Sequence, residues 1–208
     1  MDNSTRVLAL RHGQTAWNAQ SRLQGQIDAP LDATGLLQAR ALASALLDEG
    51  IDVIFSSDLQ RARLTAQALG DQLSLPVQTD PGLRERHFGF LEGSTYGEIE
   101  QRWPEDARAW RQRQEDFACG GGEALREFHE RCLLTANTLV SRHAGQVIAL
   151  VTHGGVLDCL YRAAVGVSLS APRTWKLGNA TINRLLWSPQ GFSLVGWDDA
   201  RHLETLPE

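Results

Sequence analysis

The sequence predicts a three-layer α/β/α fold around a mainly parallel central sheet. Short, continuously apolar runs alternate with longer segments of helical periodicity, and each run has the length of a strand covered on both faces. The length of 208 residues allows one well-buried core, a single domain over residues 1–208, and is too short for two independent ones.

Residues 7–10 form the first apolar run, which stops abruptly at Arg11-His12-Gly13 and reads as a buried strand followed by a loop. Asp32 then offers a helix N-cap, and Leu36, Leu37, Leu42, Ala45 and Leu46 follow at helical spacing until Gly50 closes the helix. Residues 51–55 read as a second strand, 59–73 as a second helix and 77–79 as a short third strand. From about Glu85 the periodicity weakens, with Trp103, Trp110 and many arginines inside glycine-bounded edges. Residues 86–122 are therefore expected to form a small helical cap insertion over the sheet. A long helix over 123–143, a strand over 146–151 and a helix over 156–165 follow. Residues 181–187 and 192–197 read as a late strand pair joined at Pro189-Gln190-Gly191, with an edge open to a second copy of the chain, a homodimer.

Charge narrows the partners. The net charge is −5, whereas proteins that hold nucleic acid or anionic membranes carry a basic excess. Neither partner is expected. A small anion can still bind where a few cations converge. Of the 20 basic residues Lys176 is the only lysine; codon bias is the simplest cause, and it leaves phosphate binding to arginine, histidine or backbone amides. Cys119, Cys132 and Cys159 show no C-x-x-C pairing and read as reduced thiols of a cytoplasmic protein. The polar start, Met-Asp-Asn-Ser-Thr-Arg, has no apolar signal stretch, and no run approaches the ~20 apolar residues of a membrane helix.

In an open α/β sheet ligands gather beyond the carboxyl ends of the strands. That rule marks Arg11-His12-Gly13 and Thr152-His153-Gly154-Gly155, each directly behind an apolar run. A neutral imidazole, with its reference pKa of ~6.5, is a capable nucleophile at phosphorus, and neighbouring arginines depress its pKa further. Arginine suits the clamp because its planar fork meets two phosphate oxygens at once. Each glycine is expected to let the backbone approach the ligand. No His-x-x-x-His helix or aspartate cluster suggests a metal, and no cofactor is expected.

The blocks Arg11-His12-Gly13-Gln14-Thr15-Ala16-Trp17-Asn18, Arg22-Leu23-Gln24-Gly25, Ser56-Ser57-Asp58-Leu59-Gln60-Arg61-Ala62, Leu83-Arg84-Glu85-Arg86-His87-Phe88-Gly89 and Thr152-His153-Gly154-Gly155 occur in this order. Together they resemble the histidine phosphatase superfamily, the phosphoglycerate-mutase-like group, from residue 7 to about 160. The resemblance implies that His12 attacks phosphorus and becomes phosphohistidine, and that Arg11, Arg61 and His153 ring the phosphoryl group. It implies that Glu85 protonates the leaving oxygen and later activates water. Asn18, Gln24, Gly25 and Gly154 would line the phosphate or the substrate beyond it, a small phosphorylated metabolite.

Plainer readings stand beside these. Arg61 on a helix would by default be an exposed ion-pairing arginine, and Glu85 between Arg84 and Arg86 a surface ion pair. His87 reads as a local packing residue, His129, His143 and His202 as solvated, and Trp175, Trp187 and Trp197 as core or edge-strand packing. As the family is known, mutases carry a lysine shortly after the block matching residues 88–93 and a paired arginine in a longer insertion. Here Ser94-Thr95-Tyr96-Gly97 follows with no lysine near, and Arg108, Arg111 and Arg113 are spaced apart. This favours a metal-independent phosphatase over a cofactor-dependent mutase, and over a non-catalytic phosphate-binding module because all five reacting positions are filled.

Overall fold

The computed structural model describes residues 4–206; the ends of the expected domain, including residues 1–3 of the polar lead-in, lie outside them. Six strands, β1 (Thr5–Arg11), β2 (Val53–Ser56), β3 (Val77–Thr79), β4 (Val147–Thr152), β5 (Ile182–Ser188) and β6 (Gly191–Asp199), form one sheet in the order β3-β2-β4-β1-β5-β6. The first four are parallel, and the late pair adds antiparallel pairings at the β1 edge. The mainly parallel sheet is as the apolar runs require.

Among the described residues seven α-helices accompany it: α1 (Ala16–Ala19), α2 (Ala33–Ala45), α3 (Gln60–Leu73), α4 (Tyr96–Arg102), α5 (Pro104–Arg111), α6 (Leu125–Ser141) and α7 (Gly154–Val165). Side chains of β1 alternate between two cores. Leu8 and Leu10 pack with Leu42 and Leu46 near α2 and with Ala62, Ala66 and Leu69 of α3. Val7 and Ala9 pack with Phe128, Cys132 and Leu139 of α6 and Val156 and Leu160 of α7. Both faces of the strand are covered, which is why its sequence is apolar throughout and not alternating. Each fully buried Leu or Ile contributes about 1.5–3 kcal/mol.

The helix ends follow local chemistry. Asp32 caps α2 by accepting from Gly35 N at 2.8 Å. The helix itself stops at Ala45; a separate 3₁₀ turn over Leu47–Glu49 intervenes before Gly50, which adopts φ 68°. α7 starts at Gly154, two residues earlier than the apolar spacing suggested, and α6 starts at Leu125, two residues later. The four-residue α1 was not anticipated, although Thr15 and Asn18 build a reciprocal capping box around it. In the cap, α4 and α5 enclose a small core of Leu23, Phe88, Leu91, Ile99, Ala107 and Cys119, with Trp103 and Trp110 packed on it. Among the described residues no helix is long and apolar enough to cross a membrane.

Candidate active site

Parallel pairing sets Arg11 of β1 opposite Thr152 of β4, so the next residue of each strand, His12 and His153, emerges at the same sheet edge. Their ring centroids lie 5.1 Å apart. A cleft of about 590 Å³ opens there between the sheet and the cap. Its walls include Arg11, His12, Asn18, Gln24, Gly25, Arg61, Glu85 and Gly154, eight of the nine residues expected in the site. His153 does not reach the wall; it is fully buried beside His12.

The His12 ring is oriented by its own loop. Nδ1 lies 2.7 Å from Gly13 O, and a carbonyl can only accept, so Nδ1 carries the hydrogen. Burial first, then the Arg61 and Arg11 charges, hold the His12 pKa well below the usual histidine value. The ring is neutral at pH 7, and Nε2 keeps its lone pair.

His153 Nε2 pairs with Ser57 Oγ at 2.8 Å, while Nδ1 is buried with no partner among the described residues. Burial, followed by Arg61, His12 and Arg11, likewise lowers its pKa well below the ordinary value.

Arg61 overturns the plainer reading of a surface arginine. It is 1% exposed, and it donates to Ile27 O at 2.8 Å and Gly25 O at 2.7 Å, with no carboxylate partner. Burial brings its pKa down to about 10. Arg11 donates to Leu177 O, and its pKa too is lowered by burial. The Nε atoms of both arginines are buried without partners among the described residues. The site thus concentrates positive charge that no neighbouring carboxylate pairs with, inside a protein of net charge −5.

Glu85 is not part of a surface ion pair either. Arg84 instead pairs with Asp58 at 2.5 Å, and the guanidinium of Arg86 bonds to Glu123 O and Phe117 O. The Glu85 carboxylate accepts from Gly155 N and from Arg86 N, each at 2.9 Å. Gly155 N belongs to the first turn of α7, where unpaired amides favour a carboxylate. Arg131 fixes the same loop through Gly82 O, Arg84 O and Glu85 O.

Asn18 Oδ1 accepts from Thr15 N and Asn179 Nδ2, and Gln24 Oε1 from Thr15 Oγ1 at 2.9 Å.

Several expectations need correction. A Cβ on Gly13 would meet Gly35 O at 2.5 Å, so the packing of two backbones by itself requires glycine after His12. At Gly154 a Cβ would make only ordinary contact, 3.5 Å from Arg11 Nε. Trp175 lines the cleft, together with Arg173 and Lys176, so it is not simple packing, and the one lysine does reach the site. The histidines read as solvated are half-buried: His143 pairs with Gln146 at 2.7 Å and His202 with Ala180 O at 2.9 Å. Ser57 and Asn179 were given no role. Ser57 could have been found by applying the strand-end rule to β2, which stops at Ser56. Among the described residues no cluster of three or more His, Cys, Asp or Glu is placed to hold a metal ion.

Comparison with known proteins agrees with this geometry. The sequence pattern of the histidine phosphatase superfamily (branch 1) matches residues 7–200. The chain is 37% identical over 202 residues to phosphoglycerate mutase-like protein 4 of Arabidopsis thaliana, covering 95% of this chain and 86% of the relative. It is 35% identical over 205 residues to the metal-independent phosphoserine phosphatase of the same plant, covering 97% and 84%. The structure of a mycobacterial glucosyl-3-phosphoglycerate phosphatase complexed with VO3 superposes with a TM-score of 0.85 at 33% identity, covering 94% of this chain and 99% of that one. With its two strand-end histidines packed together behind one cleft wall and this match along nearly its whole length, the chain belongs to the histidine phosphatase superfamily.

Proposed function

We propose that the protein is a phosphomonoesterase that hydrolyses a small phosphorylated metabolite through a phosphohistidine on His12. The observation that carries this reading is the Nδ1 contact to Gly13 O, which leaves Nε2 of a neutral ring free beside two guanidinium groups without carboxylate partners. In the first step Nε2 attacks phosphorus and the ester P–O bond breaks. Arg11, Arg61 and His153 offset charge on the non-bridging oxygens, and Glu85 gives the leaving oxygen a proton. In the second step water attacks phosphorus, the P–N bond breaks, and Glu85 takes the proton from water.

Hydrolysis is favoured over mutase chemistry by the cap arginines. Arg108 pairs with Glu105 and Arg111 with Glu100 at exposed positions, and neither lines the cleft; Arg113 does line it, but its charge is paired with Asp158. Two relatives named as phosphatases support the same choice. The test is release of phosphate from p-nitrophenyl phosphate by the wild type, its loss in His12→Ala, and trapping of acid-labile, base-stable phosphate on His12. Activity is expected to survive EDTA. Turnover lost to the chelator and restored by a divalent ion rejects the mechanism. Conversion of 3-phosphoglycerate to 2-phosphoglycerate stimulated by 2,3-bisphosphoglycerate would instead favour the mutase.

A further inference from the structure

Asp158 uses only one of its two oxygens. Oδ2 accepts from Arg113 Nη2 at 2.8 Å and Arg162 Nε at 2.9 Å, while Oδ1 is buried with no partner among the described residues. The residue is 4% exposed, yet it lines the cleft. A buried carboxylate oxygen without a donor is costly and rare. Trp175, on the same cleft, shows the complementary feature: its indole Nε1 is a buried donor with no acceptor among the described residues. The indole is held in place, stacked on Tyr161 at 4.1 Å and faced by the Arg162 guanidinium at 4.8 Å.

The position of Asp158 relative to the phosphoryl site is set by α7. Gly154, Gly155, Asp158 and Cys159 all line the cleft and share one helix face. Four residues separate Gly154 from Asp158, a rise of about 6 Å. The missing partners are one donor, for Asp158 Oδ1, and two acceptors, for Trp175 Nε1 and for Nη2 of the neighbouring Arg162. Two guanidiniums bonded to Asp158 leave that corner net positive, which disfavours an ammonium group. A hydroxyl both donates and accepts.

We propose that Asp158 and Trp175 form a leaving-group subsite for a hydroxyl-bearing, polyol- or sugar-like moiety about one helical turn from the phosphoryl group. The proposal rests on the phosphatase reading of the same cleft. Arg113 and Arg162 hold the carboxylate so that Oδ1 receives the substrate hydroxyl, and the Trp175 N–H donates to a hydroxyl oxygen.

A matched pair of probes tests this: glycerol 3-phosphate and n-propyl phosphate, which share a three-carbon backbone and differ in their hydroxyls. The wild type is expected to prefer glycerol 3-phosphate at least tenfold in kcat/KM, the scale of a hydrogen bond to a charged group. In Asp158→Asn that ratio falls about tenfold. If both probes fall together and the ratio persists, Asp158 only braces Arg113 and Arg162, and the proposal is overturned. A wild type without preference overturns it too. Calorimetric binding of both probes to His12→Ala, with and without Asp158→Asn, gives the same ratio without turnover. A tenfold affinity preference lost in the double variant, together with a wild type that releases no phosphate from either probe, would support the subsite while rejecting the phosphatase reading.

Discussion

Adding one carbon at Gly155 should separate proton donation from phosphoryl binding. A Cβ there would overlap Glu85 Oε1 well inside van der Waals contact and would lie 3.0 Å from Phe128 Cζ. Phe128 is 2% exposed and part of the main core, so the carboxylate must yield, by about 1 Å, to restore normal contact. The shift also breaks its 2.9 Å bond to Gly155 N. A misplacement of ~1 Å in a reacting group costs on the order of 10²-fold.

The loss should depend on the leaving group. An alkyl phosphate needs its leaving oxygen protonated, so Gly155→Ala is expected to lower its kcat/KM about 10²-fold. Nitrophenolate leaves without much help, and p-nitrophenyl phosphate should lose only a few-fold. Overpacking of about 1–3 kcal/mol would lower the melting temperature by roughly 2–12 °C, which a thermal melt checks and which leaves the protein folded at assay temperature. Shortening the acid as well, in Gly155→Ala with Glu85→Asp, should recover part of the alkyl phosphate activity. An equal loss for both leaving groups, or none, would refute the assignment of Glu85 as proton donor.

Acid should destabilise the fold through its buried histidines: folded pKa values below the ordinary one mean that the unfolded chain binds protons first. The stability they contribute is whole above pH ~6.5 and is lost as pH falls from there toward the depressed folded values; the melting temperature should fall below pH 6.5, and less steeply in His12→Ala. Arg61→Met should cost activity ~10²–10³-fold with a smaller loss of stability, because the cost of orphaning Gly25 O and Ile27 O is partly offset by removing a buried charge with no ion-pair partner among the described residues; a melt and a kcat/KM measurement on the same sample decide it. Phe128→Ala should destabilise by about 3–5 kcal/mol, read by urea titration.

The parts of the fold legible in the sequence are those whose burial is two-sided. β1 and β4 show as unbroken apolar runs because helices cover both faces, and the strand-end rule then pointed to His12 and His153. Glu85 and Arg61 were found only through their place in family blocks. Nothing local reveals that Arg61 is buried against Ile27 O and Gly25 O, or that Glu85 meets an amide 70 residues away. The four-residue α1 is too short for periodicity, although its capping box was visible. Trp175 was misread because the segment before Ala180 has no period, and an indole on a cleft wall looks in sequence like one in a core. The steric need for glycine at position 13 is not legible because its crowding comes from Gly35, a contact between distant segments.

Strand order explains how so few elements assemble the site. β2, β4 and β1 are neighbours, spaced about 4.8 Å apart, and their carboxyl ends deliver Ser57, His153 and His12 in that order across the sheet. The serine orients the second histidine, which packs against the first. Two guanidiniums must then stay close to this pair without driving it to repel them. Neutral imidazoles meet that condition, and burial keeps them neutral. Carboxylates could have stabilised Arg11 and Arg61, but they would have cancelled the charge that a phosphoryl group needs. Main-chain carbonyls of Gly25, Ile27 and Leu177 hold both side chains instead. A carbonyl dipole positions a guanidinium while leaving its full charge directed at the cleft.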